Sequence, residues 1–225
     1  MAGFAYPQAR ILVFAREPVP GKVKTRLQPT LGAAGCLRLY RALLARTVAQ
    51  VEGDALAPWQ LWVSSNPDHK EFITLCNKRN IYSQEGTDLG LRMHHASSSA
   101  LAQDGVDSVL LIGSDCPLLT PDYLARGLAA LQRHDLVLGP AEDGGYVMVG
   151  LRQPRPALFK GLDWGTGRVL EQTLEIAADQ GLSTELLPPL WDVDRAGDLG
   201  RLARLDDELR ALLAEIGWVE QGGAS

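Results

Sequence analysis

Short apolar runs alternate with helix-length segments along most of this chain, and that alternation narrows the fold more than any other feature. I-L-V-F-A at residues 11–15, L-W-V at 61–63, S-V-L-L-I at 108–112 and Y-V-M-V-G-L at 146–151 are each a strand's length. Continuous apolar runs of that size suit strands buried on both faces. Strands are expected at residues 10–16, 60–64, 81–83, 108–112, 135–138, 146–151 and 185–187. Helices are expected at 33–50, 68–76, 88–103, from Pro121 onward, at 167–180, and as one final helix carrying Leu199, Leu202, Leu205, Leu209, Leu212 and Ile216. Thr120 is placed to cap the helix that Pro121 opens. Residues 17–31, with three prolines, read as a loop. Strands alternating with helices predict a single α/β domain over residues 1–220, with a mostly parallel central sheet flanked by helices and a flexible tail at 221–225. An antiparallel strand near 146–151 is compatible with this expectation, because mixed sheets are common in large α/β folds. Right-handed crossovers bring most strand C-termini to one edge, where such folds bind ligands.

Composition excludes several function classes. A formal charge of -5 argues against a nonspecific nucleic-acid binder. No apolar stretch reaches membrane-spanning length, and the first residues lack a secretory pattern, so the expected location is cytoplasmic. Cys36, Cys76 and Cys116 are widely spaced and fit reduced thiols rather than a disulfide framework or a zinc site. His94 and His95 are adjacent, point in different directions on a helix, and are expected on its surface.

Polar residues gather after the apolar runs. P-V-P-G-K-V-K-T-R-L follows the first strand and offers Lys22, Lys24 and Arg26 around Gly21, with Arg16 just before. Positive charge beside a glycine that permits close backbone approach suits phosphate; a solvated basic loop is the competing reading. Neither a Walker loop nor a G-x-G-x-x-G fingerprint is present. Asp115 follows the central strand in L-I-G-S-D-C-P, where a carboxylate either ligates a metal or ties down its loop. Cys116 beside it reads as a packing residue. Asp192 and Asp194 in W-D-V-D project to one side of an extended segment, with Asp198 an equally good helix cap. Glu142 and Asp143, beside Gly144 and Gly145 in a tight turn, suit substrate hydroxyls or an ammonium group, with solvated acids the competing reading. Tyr146 opens an apolar run and reads as a substrate platform or as core, and Arg168, near a helix start, as an anion contact or a structural ion pair.

Four ordered motifs, F-A-R-E-P-V-P-G-K-V-K-T-R-L, L-I-G-S-D-C-P-L-L-T, L-G-P-A-E-D-G-G-Y and L-L-P-P-L-W-D-V-D, resemble the bacterial DUF2064 family, also called radical-SAM/selenodomain-associated transferases. That family lies in the glycosyltransferase-A-like, nucleotide-diphospho-sugar transferase superfamily, whose fold the resemblance implies here. It implies phosphate binding by Lys24 and Arg26, matching the K-x-R of phospholactate guanylyltransferases, and Mg²⁺ or Mn²⁺ at Asp115 and Asp194, with Asp192 in reserve. W-D-V-D-R-A-G-D-L looks like the late D-x-x-x-D-L of sugar-acid cytidylyltransferases, with Arg195-Ala196-Gly197 in place of Thr-Pro-Glu. S-D-C stands where glycosyltransferases commonly carry D-x-D. The expected activity is therefore nucleotidyl transfer from a nucleoside triphosphate to a phosphorylated small metabolite, with Lys24, Arg26, Asp115 and Asp194 in the catalytic set. The alternatives are a glycosyltransferase using a nucleotide-sugar, with Glu142 or Asp143 as base, and a non-catalytic nucleotide or phosphosugar sensor.

Overall fold

The least polar runs of the chain occupy the centre of the sheet. In the computed structural model, which describes residues 3–220, Ala9–Ala15 forms β1, with Ile11, Leu12 and Val13 fully enclosed. It pairs in parallel with β2 (Trp59–Val63) on one side and β4 (Ser108–Ile112) on the other. β3 (Ile81–Ser83) continues the sheet beyond β2, also in parallel. Past β4 comes β6 (Tyr146–Leu151), antiparallel to both β4 and β5 (Leu136–Pro140). β7 (Thr184–Leu186) then runs parallel to β5, giving the order β3-β2-β1-β4-β6-β5-β7. Among the described residues only β6 is reversed, at the strand that follows the Gly-Gly bend.

Period-two alternation of β1 divides the core between two helical layers. Ile11, Val13 and Ala15 face Leu37, Tyr40 and Leu44 of α1 (Gln28–Gly53). The same layer holds Tyr123, Leu124 and Leu128 of α4 (Pro121–Leu131). Leu12 and Phe14 face Met93, Ala96 and Ala100 of α3 (Leu89–Leu101), with Ala177 of α5 (Val169–Asp179). The short α2 (Lys70–Leu75) contributes Phe72 to the first layer. A third cluster packs α6 (Ala196–Leu205) and α7 (Asp207–Glu215) against α1, and it includes Trp191 and Val193. Thr120 caps α4 as expected, its Oγ1 accepting the Tyr123 N–H at 3.3 Å.

Two stretches depart from the sequence expectations. α1 starts at Gln28, inside the segment read as loop, because Pro29 is harmless in a first helical turn. A kink at Gly32 (φ 65°, ψ 170°) follows before the long straight part, and the helix continues to Gly53. The expected single final helix is two, broken at Asp206 (φ -157°). Asp206 Oδ1 accepts the Leu209 N–H at 2.7 Å and Oδ2 takes Arg46 at 2.7 Å. The leucine period runs through the break because both helices turn their leucines to the same cluster. Asp206→Ala removes the cap and the ion pair together; we expect a loss of about 1–2 kcal/mol in urea unfolding.

Candidate functional site at the sheet edge

The C-terminal ends of β1 and β4 and the segment after β7 meet at one backbone residue. Val193 is fully buried, which fixes the W-D-V-D segment against the core. Its N–H donates to the Asp115 carbonyl at 3.1 Å. Its carbonyl accepts from Lys24 Nζ at 2.6 Å. Lys24 Nζ also lies 2.8 Å from Asp115 Oδ1. The basic loop and both acidic motifs are therefore joined through one ammonium group. Lys24 is only 8% exposed and holds a left-handed backbone (φ 48°, ψ 40°). A non-glycine residue in that conformation is strained, and such strain concentrates at working sites.

Two cavities adjoin this junction. The first, about 360 Å³, is lined by Arg16, Lys24, Arg26, Tyr40, Asp115 and Asp194 among others. The second, about 170 Å³, is lined by Glu142, Asp143, Trp191, Asp192, Arg195 and Arg201 together with the loop Gly165, Thr166 and Gly167. Arg26, Gly165 and Asp194 line both, and Arg26 forms an ion pair with Asp194 at the shared wall. A further depression of about 610 Å³ between α1 and α7, walled by Ala42, Ala45 and Ala49, contains none of the motif residues.

The acids at the edge differ in environment. Asp198 Oδ2 accepts the N–H groups of Asp194 and Arg195 at 2.9 and 2.7 Å. It thus performs the helix-start role, and neither Asp192 nor Asp194 is spent on it. The Asp115 and Asp194 side chains are 47% and 40% exposed. Asp192 is partly buried, with no side-chain hydrogen bond or ion pair among the described residues. Burial, then the charge of Asp115, push its carboxyl up to about 7, partly offset by Lys24. A carboxyl so perturbed, in a cleft, is a candidate for a functional role.

Around the basic loop, Tyr40 Oη accepts the Arg16 N–H at 2.7 Å and donates to the Arg16 carbonyl at 2.8 Å. Burial raises the phenol's pKa, so it stays protonated and holds the start of the loop. Gly21 (φ 80°) is exposed, its carbonyl taking Gln28 Nε2 at 3.1 Å. Lys22 is exposed and outside both cavity linings.

In the A-E-D-G-G-Y turn, Gly144 (φ 88°) is required by close approach. A Cβ there would lie 2.2 Å from the Gly167 carbonyl oxygen. That contact, with the Leu170 N–H donating to the Gly144 carbonyl at 2.9 Å, seats the 165–167 loop over the cavity. Asp143 Oδ1 accepts the Gly145 N–H at 3.0 Å. Glu142 receives both Arg201 Nη groups, at 2.7 and 2.9 Å, and this pairing holds its carboxyl below the usual range. Tyr146 is packed edge-on to Trp164 at 6.3 Å and lines neither cavity. Arg168 is also outside both linings and sits 3.5 Å from Asp163.

Several residues at the edge were not anticipated from sequence: Tyr40, Trp191, Arg201 and the 165–167 loop. Arg201 stacks on Trp191, its Cζ 4.4 Å from the ring centroid. Nothing in linear spacing joins Arg201 to Glu142, 59 residues away. Cys116 is buried, and burial followed by the charge of Asp192 pushes its thiol up to about 12, so it packs rather than attacks. His94 and His95 are half-buried, against Phe159 and Trp62 respectively.

No group of three or more His, Cys, Asp or Glu forms a metal cage among the described residues. The donor set nevertheless fits a hard cation held jointly by protein and substrate. Mg²⁺ commonly takes one or two carboxylates and completes its shell with phosphate oxygens and water. Asp115 and Asp194 supply two carboxylates on one cavity, whereas Asp192 opens to the neighbouring one.

No helix is long and apolar enough to cross a membrane among the described residues. The sequence matches no curated protein. In fold it is similar to a protein of Desulfovibrio desulfuricans G20 provisionally described as a nucleotide-diphospho-sugar transferase. The two are 32% identical, with a TM-score of 0.81 over 93% of this chain and 95% of that one. It also shares its fold with the inositol-1-phosphate CTP transferase of T. maritima: TM-score 0.53, 14% identity, 97% of this chain and 98% of the other. The 4-diphosphocytidyl-2C-methyl-D-erythritol synthase of Anaerococcus prevotii gives 0.54 at 11% identity, over 94% and 97%. These neighbours carry the glycosyltransferase-A-like fold expected from the motifs. The profile described as "Uncharacterized protein conserved in bacteria (DUF2064)" matches residues 47–166, and this chain belongs to that family.

Proposed function

We propose that this protein transfers a nucleoside monophosphate from a nucleoside triphosphate to a phosphorylated small metabolite, with Mg²⁺ or Mn²⁺, in the cytoplasm. The observation that carries the reading is the joint at Val193. It fuses the basic loop to both acidic motifs beside a cavity that shares the Arg26–Asp194 wall with a second one. Two adjoining polar cavities suit a donor and an acceptor. Membership of the radical-SAM/selenodomain-associated branch rests on the motifs alone.

The triphosphate occupies the first cavity, its charge met by Arg16 and Arg26. Lys22 and Gly21 lie outside that lining, and Lys22 adds only longer-range attraction. Lys24, enclosed between Asp115 and Val193, is a positioning residue: it holds Asp115 at the cavity wall. Asp115 and Asp194 would hold the metal, which supplies charge neutralisation on the phosphates when bound. A phosphate oxygen of the acceptor attacks the α-phosphorus. The bond from α-phosphorus to the β-bridging oxygen breaks, and pyrophosphate leaves with that electron pair. Alignment and charge stabilisation account for the rate, because an ionised phosphate needs no base.

The glycosyltransferase alternative does need a base for a hydroxyl acceptor. Glu142 is poorly suited, since its pairing with Arg201 lowers its proton affinity. Calorimetry with each of the four common nucleoside triphosphates tests the site. We expect binding to require Mg²⁺ or Mn²⁺, and Asp115→Asn to remove that requirement's benefit. Arg26→Ala should weaken triphosphate binding by about 10- to 100-fold, a charge-assisted hydrogen bond's contribution, with unchanged unfolding. Metal-independent binding that ignores both changes would oppose the reading, and binding without turnover would favour a sensor.

A further inference from the structure

The second cavity has one wall built from a pair that no step above uses. Arg201, on α6, sits over the Trp191 ring and donates both Nη groups to Glu142. Trp191 is itself buried, so the stack fixes the guanidinium from beneath. Glu142 sits on the exposed A-E-D-G-G-Y turn, and its ion pair with Arg201 is half open to solvent. Solvent already reaches both partners, so an incoming anion can compete with Glu142 for the fork. The stack, by contrast, remains when the carboxylate leaves. A planar, preoriented guanidinium with an exchangeable carboxylate on its fork is a receptor for another two-oxygen anion.

The rest of the wall tells what that anion is attached to. Asp192 lines the same cavity, partly buried and without a side-chain partner among the described residues. Asp143 and Thr166 lie on the rim. Acceptor oxygens there suit hydroxyl groups, not further anions. We propose that the second cavity is the acceptor subsite, that it takes a small hydroxylated molecule bearing a phosphate, and that this phosphate replaces Glu142 on Arg201. This rests on the nucleotidyl-transfer reading for the word acceptor; the anion site itself stands on the geometry alone.

Inorganic phosphate is the probe. The reporter is the Trp191 indole N–H in ¹H–¹⁵N spectra, identified by its loss in Trp191→Phe, because it senses the stack directly. Wild type, Glu142→Gln and Arg201→Gln are titrated, with Arg201→Lys as a second variant should Arg201→Gln not fold. Removing the competing carboxylate should tighten phosphate binding at this reporter by about tenfold, and losing the bidentate fork should weaken it by tenfold or more. Triphosphate affinity should stay at the wild-type value in all of them. Glu142 and Arg201 variants that shift phosphate affinity in the same direction, or not at all, would overturn the proposal and leave the pair a structural tie. Failure of the wild type to bind any triphosphate, with the opposite-signed phosphate responses intact, would instead count against nucleotidyl transfer.

Discussion

Lys24→Met is expected to destabilise the fold by about 3 kcal/mol, while Lys22→Met, two residues away, changes it by no more than about 0.5 kcal/mol. Methionine keeps most of the buried stem but removes the ammonium. Asp115 then loses its cation and the Val193 carbonyl loses its donor. Breaking a fully buried pair costs about 3–5 kcal/mol, and the Asp115 side chain, half-exposed although its paired Oδ1 is enclosed, places this case at the low end. Lys22 is exposed, so its removal takes away solvated charge only. For a chain of this size the Lys24 change corresponds to a fall in Tm of about 6–12 °C by calorimetry. Equal Tm values for the two variants would show that the ammonium does not hold the three segments together.

Asp192→Asn is expected to act the other way, stabilising the metal-free protein while impairing its activity. The folded carboxyl is raised from 3.8 to about 7, so between these values the folded chain keeps a proton that the unfolded chain has released. Stability therefore falls as pH rises through that window, and the whole deficit is present above about 7. A rise of about three units corresponds to at most ~4 kcal/mol. Asparagine does not titrate, so its advantage should be absent near pH 3.5, grow through pH 4–7 and level off at pH 8. The amide's own need for partners reduces the gain below that ceiling. Urea unfolding in EDTA across this range measures it; a constant difference at every pH would mean that ionisation of Asp192 is not what destabilises the fold. A carboxylate retained at a cost to stability is what a working site is expected to carry.

Much of the architecture was readable from β1, β4 and β6, whose apolar runs leave few alternatives to strands covered on both faces. The 3.6-residue period likewise marked α1. It failed at Asp206, because two successive helices packed on one cluster preserve a common leucine period across an extended residue. The Thr120–Pro121 start was legible because capping chemistry is local. The fold fitted the motifs' resemblance, since a shared fold survives where sequence has drifted. At the edge, chain order identified Asp115, Asp192, Asp194 and the basic loop as polar groups after apolar strands. It did not reveal that Lys24 turns inward, which depends on a left-handed backbone and on Val193, 169 residues later. Tyr146 was read with the paired glycines and Arg168 from its place near a helix start, yet neither lines the two cavities: Tyr146 packs against Trp164 and Arg168 lies beside Asp163. Arg201 and Trp191 carry no signal of their own in sequence; only the approach of α6 to the A-E-D-G-G-Y turn gives them a role. The expected tail at 221–225 lies outside the described residues.

Phosphorus NMR of a turnover mixture tests the central claim most directly. The protein is incubated with Mg²⁺, the four common nucleoside triphosphates and a set of phosphorylated polyols and sugars, beside a parallel mixture containing nucleotide-sugars and the unphosphorylated acceptors. The expected result is pyrophosphate together with a new nucleoside-diphosphate-linked product in the first mixture, absent for Asp115→Asn. Release of a nucleoside diphosphate from a nucleotide-sugar in the second mixture, with the triphosphates untouched in the first, would contradict it.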